Sequence, residues 1–321
     1  MPDTVSPHDG RPADPTHRGG PPSVPSPPGQ ITSGDLMSQR RSPAVASPAS
    51  LVGSAPPGVA AAVAAGLRVA LADLRTVYTP LTWTLGWLGR IIVQVLFFAS
   101  IGLLLQSQEA VLYLFVGQAV MACAVEAFLS VASTTWERNT GTLGLLIVAP
   151  GPLWPVLVGR SFFWVPSGIA TSSVTLFVLG PFLGVEWSPL TAAAAFGCLV
   201  LTSVGSYGTA LVLGAIVLRG PRWRNVVGNL GHTTMMLLSG VTVPLSFFPG
   251  WCQAVGQAFP LTHGLAAIRE LAAGGAVDWA RVGVGAGLAF VLGAAWLAVA
   301  AAMFTRFAAT GRRDGSIELD E

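Results

Sequence analysis

Six apolar segments, at about residues 82–105, 110–133, 153–183, 191–218, 226–248 and 280–307, constrain this chain more than anything else in it. At 1.5 Å of rise per helical residue, each is long enough to cross a hydrocarbon core of ~30 Å. Several spanning helices fit such a sequence, and a water-exposed core of comparable size does not. Composition agrees. Hydrophobic residues make up 52% of the chain and charged residues 10%, with a mean hydropathy of +0.64, whereas charged residues run to about 25% in soluble domains. The sequence therefore predicts an all-α integral membrane protein with six transmembrane helices. The third segment is overlong and carries Pro155 and Pro166, so it begins as an interfacial helix or is kinked.

The flanks differ from this core. Residues 1–57 hold 13 of the 24 prolines among many Ser, Gly and Asp and have no apolar periodicity. Such a stretch cannot bury enough surface to offset its ordering entropy, which predicts a disordered tail. It lacks the apolar run of a signal peptide, and Met37 offers a second start within it. Residues 58–79 read as a helix with Leu67, Leu71 and Leu74 on one side and Arg68, Asp73 and Arg75 elsewhere. Its moderate hydrophobicity suits an N-terminal interfacial helix, and Pro80 ends it. The transmembrane domain is thus expected over 58–310, followed by a C-terminal cytoplasmic tail at 311–321.

Arginine sets the orientation. With the N-terminus inside, Arg68, Arg75, Arg138, Arg219, Arg222, Arg224, Arg306, Arg312 and Arg313 all fall on the inner side, and only Arg269 and Arg281 fall outside. By the positive-inside rule, six spans then place both termini in the cytoplasm of a cell membrane. The outer segment 249–279 holds two amphipathic pieces split at Pro260, neither long enough to span. It fits an outer re-entrant helical hairpin, carrying His263 and Arg269, that is shielded by protein or water.

All 17 basic residues are Arg. Without lysine the chain can form neither a P-loop, whose Lys holds the phosphates, nor a Schiff base. Any ATP site must lie on another subunit. Cys123 and Cys198 fall in apolar runs and leave Cys252 alone, so no intrachain disulfide framework is expected. Neither His232 nor His263 has a carboxylate or thiol at metal-ligand spacing, so no metal site is expected and both read as packing residues. The Gly205–Gly208 stretch around Ser206 lacks nucleophile-elbow spacing and reads, like Gly283 and Gly287, as small residues for helix approach. No catalytic residue is assigned. The formal net charge of +2 says little about partners, and no nucleic-acid partner is expected.

Three charges fall inside predicted spans. Arg90, Glu126 and Arg160 each lie eight residues, ~12 Å, from the inner end of their segment. A charge at that depth is costly unless paired or facing water, so Glu126 either pairs with Arg90 or Arg160, or both arginines snorkel to the inner surface.

The stretch from Trp136 to Pro150 is a polar-to-amphipathic hinge between two apolar segments. Thr134 to Glu137 offers a capping pattern, and Gly141-Thr142 breaks the chain before an apolar stripe of Leu143, Leu146 and Ile147. Pro150 and Pro152 close it. This short helix would lie across the cytoplasmic end of the bundle. The pattern Glu137-Arg138-x-x-Gly141-Thr142-Leu143-x-x-Leu146-x-x-x-Pro150 resembles that of ABC-2 type exporter permeases. So do Ser239-Gly240-x-x-x-Pro244, Phe248-Pro249-Gly250-Trp251, Phe259-Pro260-Leu261-Thr262-His263 and Ile268-Arg269 downstream. Gly144 stands where that family commonly has Glu, which weakens the helix and makes it less acidic.

The resemblance implies that the stretch is a coupling helix, in which Glu137, Arg138, Gly141, Thr142, Leu143, Leu146 and Pro150 engage a separate cytoplasmic ATPase. That partner would hold ATP and Mg, leaving no cofactor on this chain. It also implies a homodimer, or a heterodimer with a related permease, set among membrane lipid and exporting an amphipathic drug, antibiotic, lipid or glycan. Three rivals remain at this level: a secondary transporter driven by an ion gradient through Glu126, an intramembrane enzyme using Ser206 or a histidine, and a scaffold.

Overall fold

The computed structural model describes residues 58–77, 79–139, 141–148, 151–218 and 220–314, all within one unit spanning Pro56–Glu321. The tail expected at 1–57 and the last residues, 315–321, lie outside the described residues. Among the described residues all regular structure is helical. Helix α1 covers Val59–Val77. Helix α2, Gly89–Leu104, is entered through a turn at Pro80–Thr82 and wider turns at Trp83–Leu88. Then come α3 (Gln108–Asn139), α4 (Leu143–Val148), α5 (Trp154–Ser161) and α6 (Trp164–Ser173), which runs on through Val174–Leu179 and Gly180–Leu183. The chain closes with α7 (Pro189–Val217), α8 (Arg224–Leu238), α9 (Gly250–Gln257), α10 (Pro260–Ala272) and α11 (Trp279–Asp314).

A recurring tripeptide starts three of these helical runs. In Thr79-Pro80-Leu81-Thr82 and in Ser188-Pro189-Leu190-Thr191, the two hydroxyl residues cap each other. Thr82 N–H donates to Thr79 Oγ1 at 3.2 Å and Thr79 N–H to Thr82 Oγ1 at 3.0 Å. Thr191 N–H donates to Ser188 Oγ at 3.1 Å and Ser188 N–H to Thr191 Oγ1 at 3.0 Å. Proline takes the first helical position, where its missing N–H is not needed. Pro260-Leu261-Thr262 opens α10, with Thr262 Oγ1 donating to Gly256 O at 2.6 Å.

Among the described residues five helical runs are long and apolar enough to cross a membrane: Thr84–Leu104, Gln108–Thr134, Trp154–Leu183, Pro189–Val217 and Trp279–Arg313. The third is broken, as its prolines foretold. The chain turns at Phe162-Phe163, which puts Pro166 in the first turn of α6 and Pro155 at the start of α5. The segment expected at 226–248 differs. It is helical for only 15 residues, about 22 Å, because Ser239-Gly240 ends the helix with Gly240 at φ 72°. The chain nevertheless continues along α3: Gly228 lies beside Val131, Gly231 beside Phe128, and Gly240 O accepts from the Tyr113 hydroxyl at 2.7 Å.

Helices α3 and α7 form the centre. The most apolar stretch of α3 is 83% buried and that of α7 72%, against 22% for the first and last spanning runs. Lipid gives helices no hydrophobic reason to associate, so contact depends on small residues that let backbones approach. A Cβ on Gly293 of α11 would sit 2.9 Å from Gly205 Cα of α7, and one on Gly168 of α6 would sit 3.0 Å from Cys123 Cα of α3. The expected Gly283 and Gly287 pair makes no such contact, since nothing lies within 4 Å of either Cβ position. The packed face of α11 instead runs through Val282, Gly285, Ala289 and Gly293, at helical spacing. In α1, likewise, the leucine face is not the packed one. Gly66 and Ala70 are buried, Leu71 is exposed, and Gly66 and Gly159 bring α1 onto α5.

The bundle has two distinct ends. At one, the connector end, α4 meets α11 and α1 crosses α5. At the other, the hairpin end, Gln108 Nε2 donates to Leu183 O at 2.8 Å and α10 packs beside Tyr113. Replacing Gly159 with Val should cost about 1–3 kcal/mol by overpacking. Thermal unfolding in detergent should register it, together with earlier proteolysis at α1.

Candidate functional site

At the connector end, α4 is set by a glycine and an apolar stripe. Gly141 holds φ 71°, the left-handed region that favours glycine. Leu146 N–H donates to Thr142 O at 3.1 Å, which starts the helix. Leu143 and Ile147 are 2% exposed and lie in a cluster with Leu157, Leu211, Ala300, Phe304 and Ala308, with Leu146 against its edge. The stripe read from the sequence as a docking face is therefore turned onto the chain's own bundle. Leu145, on the opposite side, is 74% exposed. Glu137 and Arg138 lie on the last turn of α3, but their side chains, like Pro150 altogether, lie outside the described residues.

The end of α4 is held by a residue the sequence reading counted only as an inner charge. Arg312 Nε donates to Ile147 O at 2.7 Å, and its Nη2 donates to Gly151 O at 2.7 Å. A signal for this was present: Ala300, Phe304 and Ala308 form a buried stripe at four-residue spacing that continues at Arg312.

Mid-bundle, Glu126 is completely buried and neither of its oxygens has a hydrogen-bond partner. The expected pairing with Arg90 or Arg160 is not formed. Arg90 is exposed and stacks with its Cζ 4.7 Å from the Trp87 ring centroid, so its charge leaves the interior. The side chains turned toward the Glu126 carboxyl are Ser167, Thr171 and Trp87, none of which closes a hydrogen bond of good geometry. Ser130, Ser172 and Ser206 add further buried hydroxyls without partners on α3, α6 and α7. His232 packs edge-on to Phe128 with centroids 6.3 Å apart.

At the hairpin end a single cation gathers three carbonyls. Arg269 of α10 donates from Nη1 to Gly240 O at 2.8 Å, and from Nη2 to Val241 O at 3.0 Å and Tyr113 O at 3.1 Å. Its Cζ also lies 3.5 Å from the Tyr113 ring centroid. Burial pushes the guanidinium down to about 10, and it remains charged at neutral pH. Gly117 is required beneath it, because a Cβ there would collide with Val241 O and sit 2.8 Å from Arg269 Nη2. A cleft of about 350 Å³ opens beside this clamp, lined by Glu109, Leu112, Tyr113, Val116, Arg269 and Ala272, among others. His263 has a packing role, its Nε2 lying 2.9 Å from Gln257 O. Pro260 is buried against Gly205. Cys123, Cys198 and Cys252 are buried free thiols, and no cluster of metal-ligating residues occurs among the described residues.

Arg269→Met should cost about 3 kcal/mol, since hydrogen bonds to a charged group contribute ~1.5–3 kcal/mol and their loss leaves carbonyls unpaired. Arg269→Lys, which cannot reach all three acceptors, should fall between. Denaturant titration in detergent orders the three proteins.

Comparison with known proteins adds one finding. The family model described as ABC-2 type transporter matches residues 80–272, more than half of the chain. No curated protein and no solved structure matches.

Proposed function

The chain belongs to the ABC-2 type transporter family, and from that premise we propose that it is the permease subunit of an ATP-driven exporter. Its cargo would be an amphipathic molecule: a drug, antibiotic, lipid or glycan. The chain itself is read as non-enzymatic. A separate cytoplasmic ATPase binds ATP and Mg, and two permease copies, identical or related, complete the path through the membrane.

The observation that carries this reading is the seating of α4. A short helix that presents Leu145 outward, while Leu143 and Ile147 are anchored beneath it on α7 and α11, can accept a push from outside the bundle and pass it inward. A loop without that anchorage could not.

In this reading residues 224–248 make the sixth passage, part helix and part irregular turns. The run from Val131 to Tyr113 along α3, which this segment follows, corresponds to about 27 Å. Six passages place both termini on the side of α4, consistent with the contact of Arg312 with Ile147 O. The arginine count makes that side cytoplasmic. α1 would then lie along the inner interface and the α9–α10 hairpin would dip into the outer leaflet. Arg138, Glu137 and Pro150 flank the docking surface.

A second reading draws on Glu126. A buried carboxyl with unpaired oxygens beside the hydroxyls of Ser167 and Thr171 is the kind of group that serves a proton relay, and it would suit a transporter driven by an ion gradient. The two readings part on energy source. In inverted vesicles that export a fluorescent amphiphile, the first expects loss on ATP depletion, and the second expects loss on collapse of the proton gradient and in Glu126→Gln.

The docking surface has its own test. Leu145→Asp should keep the fold and lower ATPase co-purification about tenfold, the effect of ~1.4 kcal/mol at a contact. Leu143→Asp should reduce the yield of folded permease instead, because it places a charge in the buried cluster. Retention of ATPase by Leu145→Asp at the normal level would count against α4 as the contact.

A further inference from the structure

We propose that Arg312 is a positioning residue for energy coupling: it locks α4 to α11, so that the two move as one body and displacement of α4 reaches the hairpin end of the bundle. The inference rests on the reading of α4 as the ATPase contact.

The chemistry of the helix end calls for such a residue. The last four carbonyls of an α-helix have no partner within it, and α4 is only six residues long. Pro150 and Pro152 follow, and neither has an N–H to offer. Arg312 supplies two donors in their place, to Ile147 O and Gly151 O, both at 2.7 Å. A cation also suits the negative end of a helix. The two acceptors are four residues apart, and a guanidinium reaches both from one planar fork, which a lysine ammonium does not.

The other half of the lock is apolar. Leu143 and Ile147 rest in the cluster that includes Ala300, Phe304 and Ala308, the same face of α11 that ends at Arg312. Contact alone would let α4 slide along this face, whereas the two directed bonds fix its position at one end. α11 is 36 residues long, about 54 Å, and so runs well past the hydrocarbon core. Near its start it meets α10, with a Cβ on Gly285 falling 2.9 Å from His263 O. Further along, Trp296 Nε1 donates to Ala258 O at 2.9 Å. One rigid helix thus joins the connector to the hairpin.

The test uses the full chain with its co-purified ATPase in lipid nanodiscs, carrying a spin label at Val284→Cys, an exposed site near the hairpin end of α11. The signal is compared before and after ATP with vanadate. The unsubstituted protein should show an ATP-dependent change at the label. Arg312→Ala should keep the ATPase bound and lose that change, and Arg312→Lys should restore part of it. A residue that merely stabilised the fold would alter yield and melting but leave the change in place. An Arg312→Ala protein that binds ATPase and responds as the parent does overturns the proposal. Absence of any ATPase on the unsubstituted protein instead sinks the permease reading, and the coupling role with it. Should Arg312→Ala fail to fold, Arg312→Gln takes its place and must show the same loss.

Discussion

The bundle is held together by closeness of backbones. Apolar side chains gain nothing by leaving lipid for protein, so helices adhere where small residues permit contact over a long line. Here that line is α3, and the elements around it meet it or α7 through glycine: Gly168, Gly117, Gly205 and Gly293 each have a neighbouring helix, loop or side chain where a Cβ would be. The dependence explains why polar groups at the ends matter so much. Once helices touch, the remaining freedom is sliding and opening, and directed hydrogen bonds from Arg312 and Arg269 limit it at the two ends.

Much of this was legible before any coordinates. Of six segments expected from apolar length, five are helical runs long enough to span and the other is helical for 15 residues. Prolines located the break after α5, the Gly141-Thr142 break located α4, and the amphipathic pieces split at Pro260 located α9 and α10. Facing was less legible. Leu143, Leu146 and Ile147 form an apolar stripe on either reading, but a stripe of that kind does not say whether it points to a partner or to its own bundle, and here it points inward. The same ambiguity affected α1 and the glycines of α11. In a lipid-exposed helix, large apolar residues face outward as readily as inward, so hydrophobicity loses its value as a guide and only small residues mark the contact.

Charges were only half legible for a related reason. A sequence gives the depth of Arg90 and Glu126 but not the rotation of their helices, and Arg90 turned out to lie on an exposed face over Trp87. The arginines that organise the fold are instead those near segment ends, Arg269 and Arg312, whose acceptors are backbone carbonyls. Carbonyl acceptors leave no trace in residue type. What betrays them is a helix that stops early: Ser239-Gly240 after α8, and Pro150 with Pro152 after α4.

The early stop of α8 has a mechanical consequence. A wall made of continuous helices can part only by moving whole helices. Beyond Leu238 the wall is a run of turns with one short 3-10 turn at Leu245–Phe247; the carbonyls of Gly240 and Val241 are tied to the rest by one guanidinium and one phenol, and Val241 is buried. Parting that seam would break a few directed bonds and uncover Val241, with no α-helical turn melted, and it lies on the side of the bundle away from α4. Within a barrier of packed helices, this non-helical stretch is the part that can yield without carrying a whole helix with it.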